Sequence, residues 1–169
     1  QAQEVSPAIA HKIFRCYGAS SIAKIRENPY GLAKDVHGIG FKTADKIAAK
    51  LGVEKEAPQR LDAGVEFSLF TLSNEGHTCY PLDPFLQEAS EILKVPSPLL
   101  QARIVALEAD GRIVLRENAL ENHSMTIWSR PFYQTELGVA KEFQRLREGR
   151  ATPRPVDAKR AVAWVQQKL

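Results

Sequence analysis

The chain of 169 residues has two cysteines, Cys16 and Cys79, and a single methionine. Two cysteines make no disulfide framework and no metal set. His77 and Cys79 lie close together, but zinc takes about four ligands and no second pair stands near them. They are expected to be a turn histidine and a small buried cysteine. No apolar run approaches the roughly 20 residues of a membrane span, and the N-terminus has no signal-peptide pattern. A reducing cytoplasm is the simplest compartment for such a chain. A P-loop is also missing. In Gly38-Ile39-Gly40-Phe41-Lys42-Thr43, Phe41 stands where a glycine must precede the lysine, and a helical pattern precedes the loop where a strand is needed. G-x-G-x-x-G fails as well, because residue 43 is threonine. ATP chemistry by that route, a catalytic residue, a metal and a cofactor are therefore not expected within this segment.

What is present is globular. The hydrophobic fraction is 44% and the charged fraction 25%, enough for a real core in one domain or two small ones. Net charge is +3, but it is unevenly spread. Residues 1–60 carry 10 basic and 6 acidic groups, residues 61–140 carry 5 and 11, and residues 141–169 carry 8 and 3. Two basic ends flank an acidic middle. The ends suit a nucleic-acid partner better than an acidic small molecule.

The chain is organised around residues 32–51. Leu32 and Val36, four apart, share a helical face. Gly38 and Gly40 bracket Ile39, and Ala44, Ile47, Ala48 and Leu51 then recur at helical spacing until Gly52 closes the pattern. This reads as helix, tight two-glycine hairpin, helix. After Gly40 the first N–H groups of the second helix have no partner inside it and carry the positive end of its dipole. Lys42 and Lys46 lie one turn apart beside them. Such an end suits an anion, and a nucleic-acid phosphate is the expected one, held without reading base sequence. The predicted contact set is Gly38, Ile39, Gly40, Lys42, Thr43 and Lys46. The Thr43 hydroxyl has two readings, a phosphate contact or a bond back within its own helix. His37 is read either as a phosphate neighbour or as a capping residue.

This stretch resembles a helix-hairpin-helix (HhH) DNA-binding motif. Asn28-Pro29-Tyr30-Gly31-Leu32, Gly38 to Asp45, Gly76-His77-Thr78 with Pro81, and more weakly Tyr133-Gln134-Thr135-Glu136, resemble the N-terminal region of the RecD-like DNA helicases that work outside the RecBCD complex. The resemblance implies a DNA-binding region of an ATP-dependent 5′-to-3′ DNA helicase with a role in DNA repair. It also implies a motor after Leu169 that uses ATP and Mg, and single-stranded or junction DNA as partner.

The rest of the chain follows in order. Pro7 to Tyr17 places Ile9, Ile13, Phe14 and Tyr17 on one helical face, and Ser20 or Ser21 caps a second helix. Val5-Ser6-Pro7 falls where a first hairpin would be, with Glu4 and Ser6 at its glycine positions, so residues 1–57 read as a tandem HhH unit whose first half is structural. Residues 58–81 read as a bridging helix and a turn or short extended piece. Residues 82–130 hold two helices and a β-hairpin, a winged-helix-like unit containing much of the acidic middle. Residues 131–169 read as a helical linker toward a motor, with Phe132, Leu137, Val139, Ala140, Phe143 and Leu146 partly inward and a Pro/Arg-rich link at 149–155. Both ends fall inside helical patterns, which suggests a segment of a longer protein. The fold class expected is mainly α, with a small β-hairpin. Phe67, Phe70, Phe85, Phe132 and Phe143 are expected in the core first.

Two other functions stay open. One is a protein-interaction module in which the acidic middle binds a partner or the motor. The other is an HhH DNA glycosylase/lyase, in which a lysine at the place of Lys42 is the nucleophile and a later aspartate assists it. Here residue 60, where that aspartate would stand, is arginine, and Asp62 comes two residues late. A lysine nucleophile must also be partly neutral, which needs burial or nearby positive charge.

Overall fold

The computed structural model describes residues 6–118, 124–149 and 157–168. Residues 1–134 form one compact unit and residues 135–169 another. The described part is mainly α-helical with one small antiparallel sheet.

The first unit opens with α1 (Pro7–Tyr17), a single 3₁₀ turn at Gly18–Ser20, and α2 (Ser21–Glu27). Ser6 caps α1, its Oγ accepting from the Ile9 N–H at 3.4 Å, and Gly18 ends the helix at φ 57°. The Glu4 and Val5 positions of the expected first hairpin lie outside the described residues. Ile13 is buried and Ile9 and Tyr17 pack on the core, but Phe14 is 62% exposed. The contact takes the i, i+4 line of α1 alone, and Phe14 falls one position beside it. A second 3₁₀ turn at Pro29–Gly31, held by the Asn28 side chain, leads into α3 (Leu32–Asp35) and then α4 (Phe41–Lys50). Gly52, at φ 83°, ends α4 in a Schellman arrangement: the Val53 N–H reaches the Ala48 carbonyl at 3.0 Å and the Gly52 N–H reaches that of Ala49 at 3.2 Å.

Next come α5 (Pro58–Asn74), β1 (Cys79–Pro81), α6 (Leu82–Leu93), α7 (Ser97–Ala109), β2 (Ile113–Asn118) and β3 (Ser124–Ser129). The sheet order is β1-β3-β2, all antiparallel, with Tyr80 and Leu115 both opposite Ile127. The expected hairpin is present, and the short piece after α5 joins it as a third strand. Helices α5, α6 and α7 pack on one another and on this sheet, a winged-helix-like arrangement in which α5 is the first helix. The expected turn over residues 119–122 lies outside the described residues. One apolar core runs from Leu32, Ile39 and Ile47 through Leu61, Val65 and Leu69 to Phe85, Leu100, Ile104, Ile113 and Ile127. It crosses the polar link at 54–57 without a break.

Two partly buried polar clusters tie these layers. Arg60, at the start of α5, grips both oxygens of Asp45 on α4 at 2.8 and 3.1 Å and donates to the Lys55 and Leu93 carbonyls. On the next turn, Asp62 takes two bonds from Arg103 at 2.7 and 2.8 Å, and Glu66 bridges Arg112 at 2.8 Å and Lys34 at 2.9 Å. Burial alone would raise the Glu66 carboxyl, but hydrogen bonds and charge from Arg112 and Lys34 outweigh it and hold it below its ordinary value of 4.5. Close packing adds a steric constraint. A Cβ on Gly64 would stand 2.5 Å from both Leu93 methyl carbons, so only glycine lets α5 and α6 approach this closely.

The inward stripe expected after residue 130 is not buried. No residue of α8 (Arg130–Glu148) or α9 (Ala158–Gln166) is buried, and Phe143, Leu146, Val162, Trp164 and Val165 are exposed. An amphipathic pattern shows that a face suits burial, not that this chain supplies the surface to bury it. Apart from Gly149, the expected Pro/Arg-rich link lies outside the described residues.

Three results follow for stability. Arg60→Ala should lower the unfolding free energy by about 2–4 kcal/mol in urea denaturation, because the Asp45 carboxylate and the Leu93 carbonyl lose their shared partner. Gly64→Ala would gain helix propensity of about 1 kcal/mol, but overpacking against Leu93 costs typically 1–3 kcal/mol, so net destabilisation is expected in the same assay. Glu66→Gln should lower Tm at neutral pH. The lowered folded-state value means that the Glu66 contribution is present above 4.5 and fades as pH falls through that folded value. The gap in Tm from the parent chain should therefore close on acidification, as followed by circular dichroism.

Candidate nucleic-acid interface

The loop between α3 and α4 is built by what it buries. Val36 and Ile39 are 5% and 3% exposed, and Phe41, the first residue of α4, is 7% exposed. The Phe41 ring lies between Tyr30, with centroids 5.9 Å apart, and Phe67 of α5, at 4.8 Å. It is a core ring and not available to stack on a base. With these side chains turned inward, the backbone of His37, Gly38 and Gly40 faces out.

The two glycines differ. Gly38 sits at φ 82°, where an L side chain is strained, and a Cβ there would stand 2.8 Å from the Lys12 Nζ. Gly40 has an ordinary extended backbone, φ −96° and ψ 175°, and a Cβ there would meet nothing within 4 Å. Neither backbone geometry nor packing requires glycine at 40. What it provides is open space over the start of α4.

That start is bare. Gly40 is the N-cap and offers no side-chain cap. The Ile39 N–H is taken by the Val36 carbonyl at 3.0 Å and the Thr43 N–H by the Gly40 carbonyl at 3.0 Å. The N–H groups of Gly38, Gly40, Phe41 and Lys42 have no hydrogen-bond partner among the described residues. Of the residues predicted from sequence, Gly38, Gly40 and Lys42 therefore offer both exposure and an open amide, while Ile39 serves as the anchor. Thr43 is half-buried, and its hydroxyl makes no hydrogen bond to another described residue. Lys42 and Lys46 are exposed on α4, with the Lys42 ammonium 6.0 Å above the Phe67 ring. Asp45 lies between them in sequence, but its charge is matched by Arg60 and its Oδ1 also accepts from the Tyr30 hydroxyl at 2.8 Å. Burial, then this hydrogen bond, pushes the Tyr30 hydroxyl well above its ordinary range.

Sequence reasoning missed the contribution of α1. Lys12 comes to the Gly38 edge of the hairpin, and with Arg15, Cys16, Asp35, Val36 and His37 it lines a cleft of about 370 Å³. Asp35 in that cleft accepts from the Tyr17 hydroxyl at 2.8 Å, and burial together with this bond pushes Tyr17 up to about 12. No local pattern links Lys12 to Gly38, since only the packing of α1 on the α3–α4 pair brings them together.

Other candidate sites resolve differently. Asp62 is tied to Arg103 and Arg112, so its carboxylate is not set to assist Lys42 in lyase chemistry. His77 packs edge-on against Tyr80 at 5.1 Å. Among the described residues no three His, Cys, Asp or Glu side chains gather as a metal site, and no helix is long and apolar enough to cross a membrane.

Two helices joined by a tight loop, with apolar side chains buried beneath it and bare amides and lysines above, define a helix-hairpin-helix DNA-binding domain. Residues 1–79 match the family model described as the HHH domain of the ATP-dependent RecD2 DNA helicase. Over these residues the chain is similar to that DNA-binding domain, which implies the HHH region of a RecD-like helicase.

The glycine contrast is testable. Gly38→Ala should cost about 1 kcal/mol of stability, read by urea denaturation. The Lys12 ammonium can swing aside, so that cost is conformational. Gly40→Ala should leave stability within about 0.5 kcal/mol yet weaken DNA binding, because its methyl group would stand over the open amides.

Proposed function

We propose that the α3–α4 hairpin holds the phosphate backbone of DNA without reading base sequence, as the DNA-binding region of an ATP-dependent 5′-to-3′ helicase. The motor of that helicase takes ATP and Mg and lies elsewhere in the parent protein, and the work is DNA repair in the cytoplasm. One observation carries the phosphate reading. The N–H groups of Gly40, Phe41 and Lys42 are open at the dipole-positive end of a ten-residue helix, with Lys42 and Lys46 exposed on that helix and Lys12 at the Gly38 edge of the hairpin. Amides and ammonium groups recognise phosphate oxygens, which every sequence presents alike. Asp62, bound in the core, supports DNA holding over strand cleavage by Lys42.

A protein-contact role suits other surfaces of the chain better than this one. The exposed apolar stripes of α8 and α9 fit docking to the motor of the same chain. The acidic middle is a weaker protein-binding face than its charge count suggests, because Asp62, Glu66, Glu88 and Glu108 are each bonded internally.

Fluorescence anisotropy of labelled DNA over a salt series tests the reading. Each phosphate contact contributes a slope of roughly −0.7 to −0.9 in log K against log salt. Lys42→Ala with Lys46→Ala should weaken binding of two unrelated sequences alike and make the slope shallower by about one to two units. Binding that ignores both salt and these substitutions would refute the phosphate site.

A further inference from the structure

The hairpin borders a second cleft, of about 440 Å³, whose other wall is α5. That is within the size class of small-ligand sites, roughly 300–1,000 Å³. Its lining is mostly apolar and aromatic: Tyr30, Ala63, Phe67 and Phe70 face the backbone of Gly38 to Phe41. Phe70 lies one turn beyond Phe67 on α5 and is 61% exposed, although the helical spacing of the phenylalanines predicts a core ring. Phe70 covers no core position, and it stands at the mouth of an open cleft. The lip is cationic, with Lys42 over the Phe67 ring and Lys34 at the edge. Glu66 also lines the cleft, but Lys34 and Arg112 neutralise it.

We propose that this cleft takes an unpaired nucleobase of single-stranded DNA, stacked on Phe70 and Phe67, while the adjoining hairpin amides hold that strand's phosphate. The assignment rests on the phosphate reading above. A flat π-surface beside bare amides and ammonium groups matches a ligand that carries a ring and an anion a few ångströms apart. An apolar protein segment would satisfy the rings and leave Lys42 and the amides unmatched. Duplex bases are stacked away inside the helix, whereas the bases of a single strand turn outward and stack on aromatic side chains whatever their identity. The site therefore selects strand state and not sequence.

The test compares three labelled ligands by anisotropy at fixed low salt: a short oligothymidylate, an abasic strand of equal length, and a blunt duplex. The proteins are the 169-residue chain and its Phe70→Ala and Phe70→Tyr variants, checked for folding by circular dichroism. The parent chain should bind oligothymidylate roughly tenfold tighter than the abasic strand. Phe70→Ala should lose about that factor on oligothymidylate and nothing on the abasic strand or the duplex, and Phe70→Tyr should retain it. Equal binding of the abasic and thymidylate strands, with Phe70→Ala neutral, would overturn the base site and leave the phosphate site standing. No binding of any of the three by the folded chain would overturn both.

Discussion

The burial of Phe41 is the constraint on which the rest of this structure depends. Its ring sits between Tyr30 and Phe67, and such aromatic pairs contribute about 0.5–1.5 kcal/mol each beyond the area they bury. Phe41 opens α4 and points inward, which fixes where that helix starts, and the first N–H groups, unpaired within the helix, lie along its axis at that start. Ile39 makes the same commitment from inside the loop. Tyr30 then reaches Asp45 through its hydroxyl, Arg60 closes on Asp45 from α5, and three elements are locked in one arrangement. The bare amides thus lie on a loop and a helix start that are anchored in the core by Val36, Ile39 and Phe41.

The shared core extends this stiffness. Helix α5 packs on α4 and also on α6 and α7, with Leu61, Val65 and Leu69 in the shared core, so the winged-helix-like part buttresses the same helix that walls the aromatic cleft. Arg103, Arg112 and Lys34 reach Asp62 and Glu66 from three directions and neutralise acids that would oppose a polyanion on this side. The cost of burying those charges is offset only while every partner is present.

Much of the hairpin was legible because its signals are local. Two glycines around an apolar residue, followed by apolar positions at helical spacing and a closing Gly52, specify a turn and a cap by backbone chemistry alone. The sheet was partly legible: β2 and β3 show in their β-branched runs, while Cys79-Tyr80-Pro81 is too short to declare itself until β3 lies beside it. The approach of Lys12 to Gly38 was not legible, since it depends on how α1 packs, nor was the exposure of Phe70, which shares helical spacing with buried neighbours. The apolar stripe of α8 misleads for the opposite reason. Its pattern is genuine, but no residue of that helix is buried.

The most direct test of the central claim is a ¹⁵N-edited amide NMR titration of the chain with a short DNA strand. The account predicts that the largest shifts fall on the amides of Gly38, Gly40, Phe41 and Lys42, with β2, β3 and α7 nearly still. Shifts gathered on the sheet or on α7, with the hairpin amides unmoved, would contradict it.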